Sequence, residues 1–272
     1  MNTIAIVCFF TAFIHFSETL ALSMRLAGAR TKQVATSISF VNTAFLGARM
    51  SNMLQAPLLG ALVDSAVRSN SAEALIQNFR YIIFAAFIGN VLGALLLPTG
   101  AKIFEEGILV FEKTASIPKL IREAFRWHNF KAILRSFRLP SFRSFTNIHW
   151  KRIPHLFIYL NAFMVSVYAI GVLASLAAGA LLPQLRATAT QLSGIVNGIA
   201  TVLLVIMVDP TGAHIVDKIV KGERPVDDAR TMVFYLVLGR ILGTLIISQI
   251  IFSPAVKYIM AVTKWVASIF SY

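Results

Sequence analysis

Apolar residues along this chain come in long runs with no alternation. Each run is close to the ~20 residues that one helix needs to cross a hydrocarbon layer. The first, residues 4–24, has no Lys or Arg before it and no small-x-small site at its end, so it reads as an uncleaved span and not a signal peptide. The second, residues 34–63, is interrupted by Arg49, Asn52, Gln55 and Pro57. The third covers 79–97 and stops at Pro98. Three more follow at 153–182, 192–208 and 232–252. From Pro254 a tail carries Lys257, Tyr258, Lys264 and Trp265, a pattern that suits a helix lying at the membrane interface. The pattern predicts an all-α integral membrane protein of about six transmembrane helices.

Composition agrees with this. Of 272 residues 57% are hydrophobic and 14% charged, against about 25% charged in a soluble domain. The single cysteine, Cys8, sits in an apolar run, which excludes an intramolecular disulfide, a cysteine metal cluster and a thiol redox pair. No cofactor or metal is expected. The net charge of +13 does not indicate nucleic acid, because no segment of ordinary polarity is present to carry a binding surface. Sorted by predicted loop, eighteen of the 25 Lys and Arg follow spans one, three and five, eleven of them between Thr99 and Arg152. The positive-inside bias therefore predicts cytoplasmic basic loops and both termini outside. Within the large loop, Lys119 to Arg152 interleaves its cations with Phe125, Trp127, Phe130, Phe137, Phe142 and Trp150. Such a segment lies over anionic lipid heads, or serves only to set topology.

The chain also repeats. Residues 80–95 align without gaps on 230–245, matching Arg80/Arg230, Phe84/Phe234, Gly89/Gly239, Leu92/Leu242, Gly93/Gly243 and Leu95/Leu245. Pro57 and Asp64 likewise match Pro210 and Asp217. An odd number of spans per repeat inverts the second copy, the arrangement of alternating-access transporters. The expected organisation is a first three-helix repeat (1–97), a basic amphipathic connection (98–152) and a second repeat with the interfacial tail (153–272). Pro57, Asp64, Pro210 and Asp217 are candidate hinges or helix breaks, while the glycines form small-xxx-small packing faces.

Ionisable groups inside spans cost about 2.5–3.5 kcal/mol each on insertion scales and mark candidate sites. His15 and Glu18 share a face of span one that Arg25 continues. At ~1.5 Å per residue, Glu18 and His15 lie about 9 and 13 Å from the basic end of that span, and Arg240 about 14 Å. Those three can cluster. Arg49 lies about 22 Å up span two, so a direct bridge to Glu18 is not expected. The result is a ladder of Arg25 and Arg30 with Lys32 at the mouth, Arg240 with Glu18 and His15 above them, and Arg49 with Asn52 and Gln55 beyond. Guanidinium groups bind phosphate and pyrophosphate by paired hydrogen bonds. The plainer alternative is a structural Glu18–Arg240 pair, with His15 as hydrogen-bonded core.

The segments His15-Phe-Ser-Glu-Thr-Leu20, Arg25-Leu-Ala-Gly-Ala-Arg-Thr-Lys-Gln33 and Arg49-Met-Ser-Asn-Met-Leu-Gln-Ala-Pro-Leu-Leu-Gly60 resemble the Amj family of bacterial membrane proteins, alternate lipid II flippases distinct from the MurJ family. The resemblance implies a cell-membrane protein that moves the polyprenyl-pyrophosphate-linked peptidoglycan precursor, lipid II, to the outer leaflet. It brings no list of site residues. The main rival is a membrane-embedded polyprenyl pyrophosphate phosphatase, against which stands the lack of HExxH, P-loop or other phosphate motifs beside the arginines. A third reading is a non-transporting assembly protein. Six spans are few for a lipid-sized cavity, and a homodimer is one way to enlarge it.

Overall fold

The computed structural model describes residues 3–124, 126, 135–141 and 148–270, and these are helical almost throughout. In chain order the helices are α1 (Thr3–Thr31), α2 (Val34–Arg68), α3 (Ala72–Leu95), α4 (Leu97–Thr114), α5 (Ile117–Ala124), α6 (His155–Leu181), α7 (Arg186–Leu203), α8 (Asp209–Val220), α9 (Asp227–Leu242) and α10 (Ser248–Phe270). A π-turn at Leu204–Val208 joins α7 to α8, and another at Gly243–Ile247 joins α9 to α10. Of the aromatic residues noted in the basic loop, Phe125, Trp127, Phe130 and Phe142 lie outside the described residues.

Among the described residues, five helical stretches are long and apolar enough to cross a membrane: Thr3–Thr31, Ala72–Leu95, His155–Leu181, Pro183–Val220 and Asp227–Ile269. Helix α2 is longer than most of them, at 35 residues, but its Ser, Asn, Gln and Arg positions keep it out of that set. It runs through Pro57 without a break. Pro57 removes one backbone donor, a loss that helices in membranes tolerate where neighbouring groups satisfy the freed carbonyl. Pro210 follows directly on the π-turn, within the helical stretch Pro183–Val220. Both prolines thus lie inside long helical stretches, and beside Pro210 the hydrogen-bond ladder is already loosened by the π-turn.

Glycines set how the helices pack. Gly89 of α3 lies on the Ala12 backbone, and Gly93 lies against Phe16 and Thr19. Further on, Gly100 of α4 meets Leu20 and Ser23, and Arg30 bonds Glu105 at 2.5 Å. Sequence numbers rise together along both partners, so α3 and α4 run parallel to α1. Helix α4, which falls inside the expected basic connection, therefore packs on the core through Thr99, Gly100, Ala101 and Ile108. The second half is laid out the same way. Gly239 meets Asn161 and Ala162, Gly243 meets Ala162 and Ser166, and Ser248 bonds the Ser166 carbonyl at 3.1 Å, so α9 and α10 run parallel to α6. Helix α10 continues this rod across Pro254. The tail expected at the interface is continuous with the last span and buries Val256, Ile259 and Thr263, while Lys257, Tyr258, Lys264 and Trp265 stay exposed.

The two halves meet head to tail. Arg80 bonds Gln249 and Ser253, and Asn90 bonds Arg240 and Thr244. Numbers rise on one side as they fall on the other, so α3 is antiparallel to α9 and α10. One apolar cluster fills one end, with Val7, Leu59, Phe79, Ile83, Ile170, Ala177, Phe252 and Ile259. A second fills the other end, with Ala29, Ile153, Phe157, Ile215, Met232 and Leu236. Between them lies a polar layer.

Candidate functional site

Glu18 stands near the midpoint of the 29-residue α1. Its carboxylate accepts a hydrogen bond from Nη2 of Arg240, and the two side chains are 17% and 12% exposed. Two charges taken this far out of water persist only when paired and hydrogen-bonded. Nε of Arg240 is engaged as well: it donates to Thr19 Oγ1 at 3.0 Å and to Asn90 Oδ1 at 3.3 Å. Thr19 Oγ1 in turn donates to Asn90 Oδ1 at 2.7 Å. Arg240 stands three residues before the Gly243 π-turn, and its own carbonyl accepts from the Thr244 hydroxyl at 2.8 Å and from Asn90 Nδ2 at 3.3 Å. A π-turn loosens the regular ladder and is frequent at functional sites. Here side chains satisfy the loosened carbonyl.

The network draws on α1, α3 and α9, so it joins both halves of the molecule. His15 lies one turn before Glu18, buried, within the electrostatic reach of Glu18 and Arg240, and its Nδ1 has no hydrogen-bond partner among the described residues. Among the residues picked out by sequence, then, Glu18, Arg240 and His15 share one site. Thr19, Asn90 and Thr244 were not picked out. Asn90 had a signal, since it is the residue that aligns with Arg240 in the repeat, and Thr19 is the neighbour of Glu18.

The other candidates fall elsewhere. Arg49 and Asn52 are exposed on α2, and Arg49 makes no ion pair among the described residues. Gln55 is buried and donates to Thr11 Oγ1 at 3.0 Å, tying α2 to α1. Arg25 donates to Asp209 at 2.6 Å, with its guanidinium over Gly212, while Arg30 is held by Glu105. The two mouth arginines expected to face a substrate are therefore engaged with acids from α8 and α4, partners too distant in sequence to be foreseen. Asp64 accepts from Arg186 at 2.8 Å, and Asp217 is exposed on α8. Arg25–Asp209 and Asp64–Arg186 both link the first half of the chain to the second, at opposite ends of the bundle.

Several membrane-length apolar helices around a charged network at mid-depth define a polytopic helical membrane protein with a polar interior. The chain belongs to the Amj family, described as "Alternate to MurJ", which matches residues 10–263. It is 38% identical over 257 residues to the lipid II flippase Amj of Bacillus subtilis (strain 168), covering 94% of this chain and 95% of that protein. No solved structure matches it.

Proposed function

We propose that this chain is a lipid II flippase of the bacterial cell membrane, a transporter and not an enzyme, working by alternating access through an arginine-lined cavity. The Glu18–Arg240 pair carries the mechanistic reading. It sits between two apolar clusters, at the one layer where the two halves exchange side-chain hydrogen bonds in the middle of the bundle. The substrate class comes from family membership and from the name of the Bacillus relative.

The two halves act as inverted repeats in this scheme. Supporting that, Gly89 rests on Ala12 and Gly239 on Ala162, each pair shifted by the same 150 residues, and the matched residues Asn90 and Arg240 touch each other. A two-fold axis in the membrane plane brings matched residues into contact where it passes. The break between α3 and α4 near Leu95 also corresponds to the π-turn Gly243–Ile247. Arg152, Arg224 and Asp228 gather at the same end as Arg25 and Ala29, which supports placing that end in the cytoplasm. The chain termini, near Val7 and Ile259, lie at the other end, taken as outside.

The headgroup must cross ~30 Å of hydrocarbon while its tail stays in lipid. Rocking of the halves opens one mouth at a time, breaking Arg25–Asp209 on the inside or Asp64–Arg186 on the outside. The pyrophosphate displaces Glu18 from Arg240, because a guanidinium binds it with two parallel charge-assisted bonds. After release, Glu18 recaptures Arg240 and resets the site, with His15 beside it as a proton partner. Arg49 and Asn52 serve the outer half of the path. Exposed Arg and Lys residues at the inner end face anionic lipid heads.

The test is whether fluorescent lipid II changes leaflet in vesicles whose sole protein is this chain. Arg49→Ala or Arg240→Ala is expected to abolish the change while the protein still inserts. Transport at the wild-type rate with both arginines removed overturns the site, and no leaflet change with the intact protein overturns the function.

A further inference from the structure

Helix α6 carries a residue that neither its sequence context nor the charged network explains. Its first half shows an exposed stripe of Leu156, Tyr159 and Phe163 at helical spacing, the face expected toward lipid. Beyond Phe163 the helix is enclosed, and within residues 164–181 only Tyr168 is exposed, at 36%. It stands about 140° around the helix from Phe163, so it does not belong to the lipid stripe. Tyr168 therefore reaches the outside of the bundle on a second face of the helix, where its neighbours Ser166, Ile170 and Gly171 are buried.

This part of α6 packs beside the charged layer, since Ser166, two residues before Tyr168, meets Gly243, three residues beyond Arg240. Tyr168 lies within the electrostatic reach of Glu18, Arg240 and Arg49 together, a set drawn from α1, α9 and α2. Arg49 is exposed and makes no ion pair among the described residues. Tyr168 also occupies the midpoint of α6 as Glu18 occupies that of α1, and the two are separated by the same 150 residues as Ala12/Ala162 and Asn90/Arg240. Resting on the inverted-repeat reading above, Tyr168 is the counterpart of Glu18. One copy of the repeat places a carboxylate against Arg240, and the other places a neutral, partly exposed hydroxyl donor near it.

We propose that Tyr168 is a headgroup-binding residue of the transport site, its hydroxyl donating to the pyrophosphate that Arg240 and Arg49 hold from either side. A neutral donor suits this place. It adds a hydrogen bond to an anion without a further charge to desolvate, and its ring offers an apolar face to the sugar carbons.

The experiment uses the full chain in vesicles. Tyr168→Phe keeps the ring and removes the donor, and it is expected to raise the half-saturating fluorescent lipid II concentration about tenfold, the loss of one hydrogen bond to a charged group. A second measurement reads occupancy without transport: Tyr168→Cys on a Cys8→Ser background is labelled by a water-soluble thiol reagent. Undecaprenyl pyrophosphate in phosphatidylcholine vesicles is expected to slow labelling at least fivefold, and Arg49→Ala is expected to remove that protection. Unchanged half-saturation in Tyr168→Phe, or labelling insensitive to undecaprenyl pyrophosphate, overturns the proposal. So does equal protection by phosphatidylglycerol alone, which identifies a general lipid-phosphate contact. If the thiol is protected but the intact protein moves no lipid II, the site stands and the flippase reading falls. If lipid II moves and Tyr168→Phe is indifferent, the reverse holds.

Discussion

Removing Arg240 while leaving Glu18 in place deprives a carboxylate at mid-depth of its only ion-pair partner among the described residues. Breaking a buried pair from one side costs about 3–5 kcal/mol, because the remaining charge stays desolvated. Both side chains are less than one-fifth exposed, so solvent screening reduces this little. Thr19 and Asn90 also lose the Nε donor, although they keep their bond to each other. At roughly 2–4 °C per kcal/mol for a chain of this size, Arg240→Ala is expected to lower the melting temperature in detergent by about 6–20 °C. Adding Glu18→Gln removes the stranded charge and is expected to recover at least half of that loss. Transport is expected to behave differently, since Arg240→Ala abolishes lipid II translocation whether or not Glu18 is neutralised. Scanning fluorimetry of wild type, Arg240→Ala, Glu18→Gln and the double variant, beside leaflet assays on the same preparations, separates the two effects. Additive destabilisation in the double variant refutes the pairing argument. Wild-type transport by the double variant refutes the assignment of Arg240 to the substrate.

Other substitutions probe the packing and the two ends. Gly89→Val is expected to destabilise strongly because its side chain would enter the Ala12 backbone, whereas Gly194→Ala and Gly198→Ala, which face open space within a helix, are expected to raise the melting temperature by about 1–4 °C each. Arg80 bonds the Gln249 carbonyl and side chain and the Ser253 hydroxyl, and lies over the Phe252 ring at 5.7 Å, so Arg80→Ala is expected to cost about 2–4 kcal/mol with little recovery from Arg80→Lys. Thermal unfolding checks both. On a Cys8→Ser background, a disulfide between Asp64→Cys and Arg186→Cys is expected to halt transport until reductant is added, and continued transport by the crosslinked protein argues against opening at that end. Reversing Arg25 and Asp209 together (R25D with D209R) is expected to restore transport lost in either single variant, as read in the same leaflet assay.

Much of the fold was legible because a membrane imposes simple rules. Apolar runs of spanning length, charge asymmetry between loops and the aligned glycines at 89, 93, 239 and 243 are local or periodic features, and a bilayer leaves backbone little choice but helix. Length patterns did less well at helix ends. Residues 98–114 and 254–270 carry charges and read as connection and interfacial tail, yet they belong to the helices Leu97–Thr114 and Ser248–Phe270, which bury one face. A charge every few residues can be accommodated on the exposed side of a packed helix, and only the neighbours reveal which side that is.

The same division holds for the site. Sequence alone fixed that Glu18 and Arg240 are costly where they stand and lie at similar depth, because the price of an intramembrane charge does not depend on its partner. Only the tertiary structure decided who the partners are. It gave Arg25 to Asp209 and Arg30 to Glu105, turned Gln55 inward to Thr11, and closed Thr19, Asn90 and Thr244 around Arg240. It also left Tyr168, an unremarkable aromatic in an apolar run, exposed beside the charged layer. Which side chains meet across separations of 44 to 221 positions is set by helix direction and register, and those follow from how the glycine faces pack.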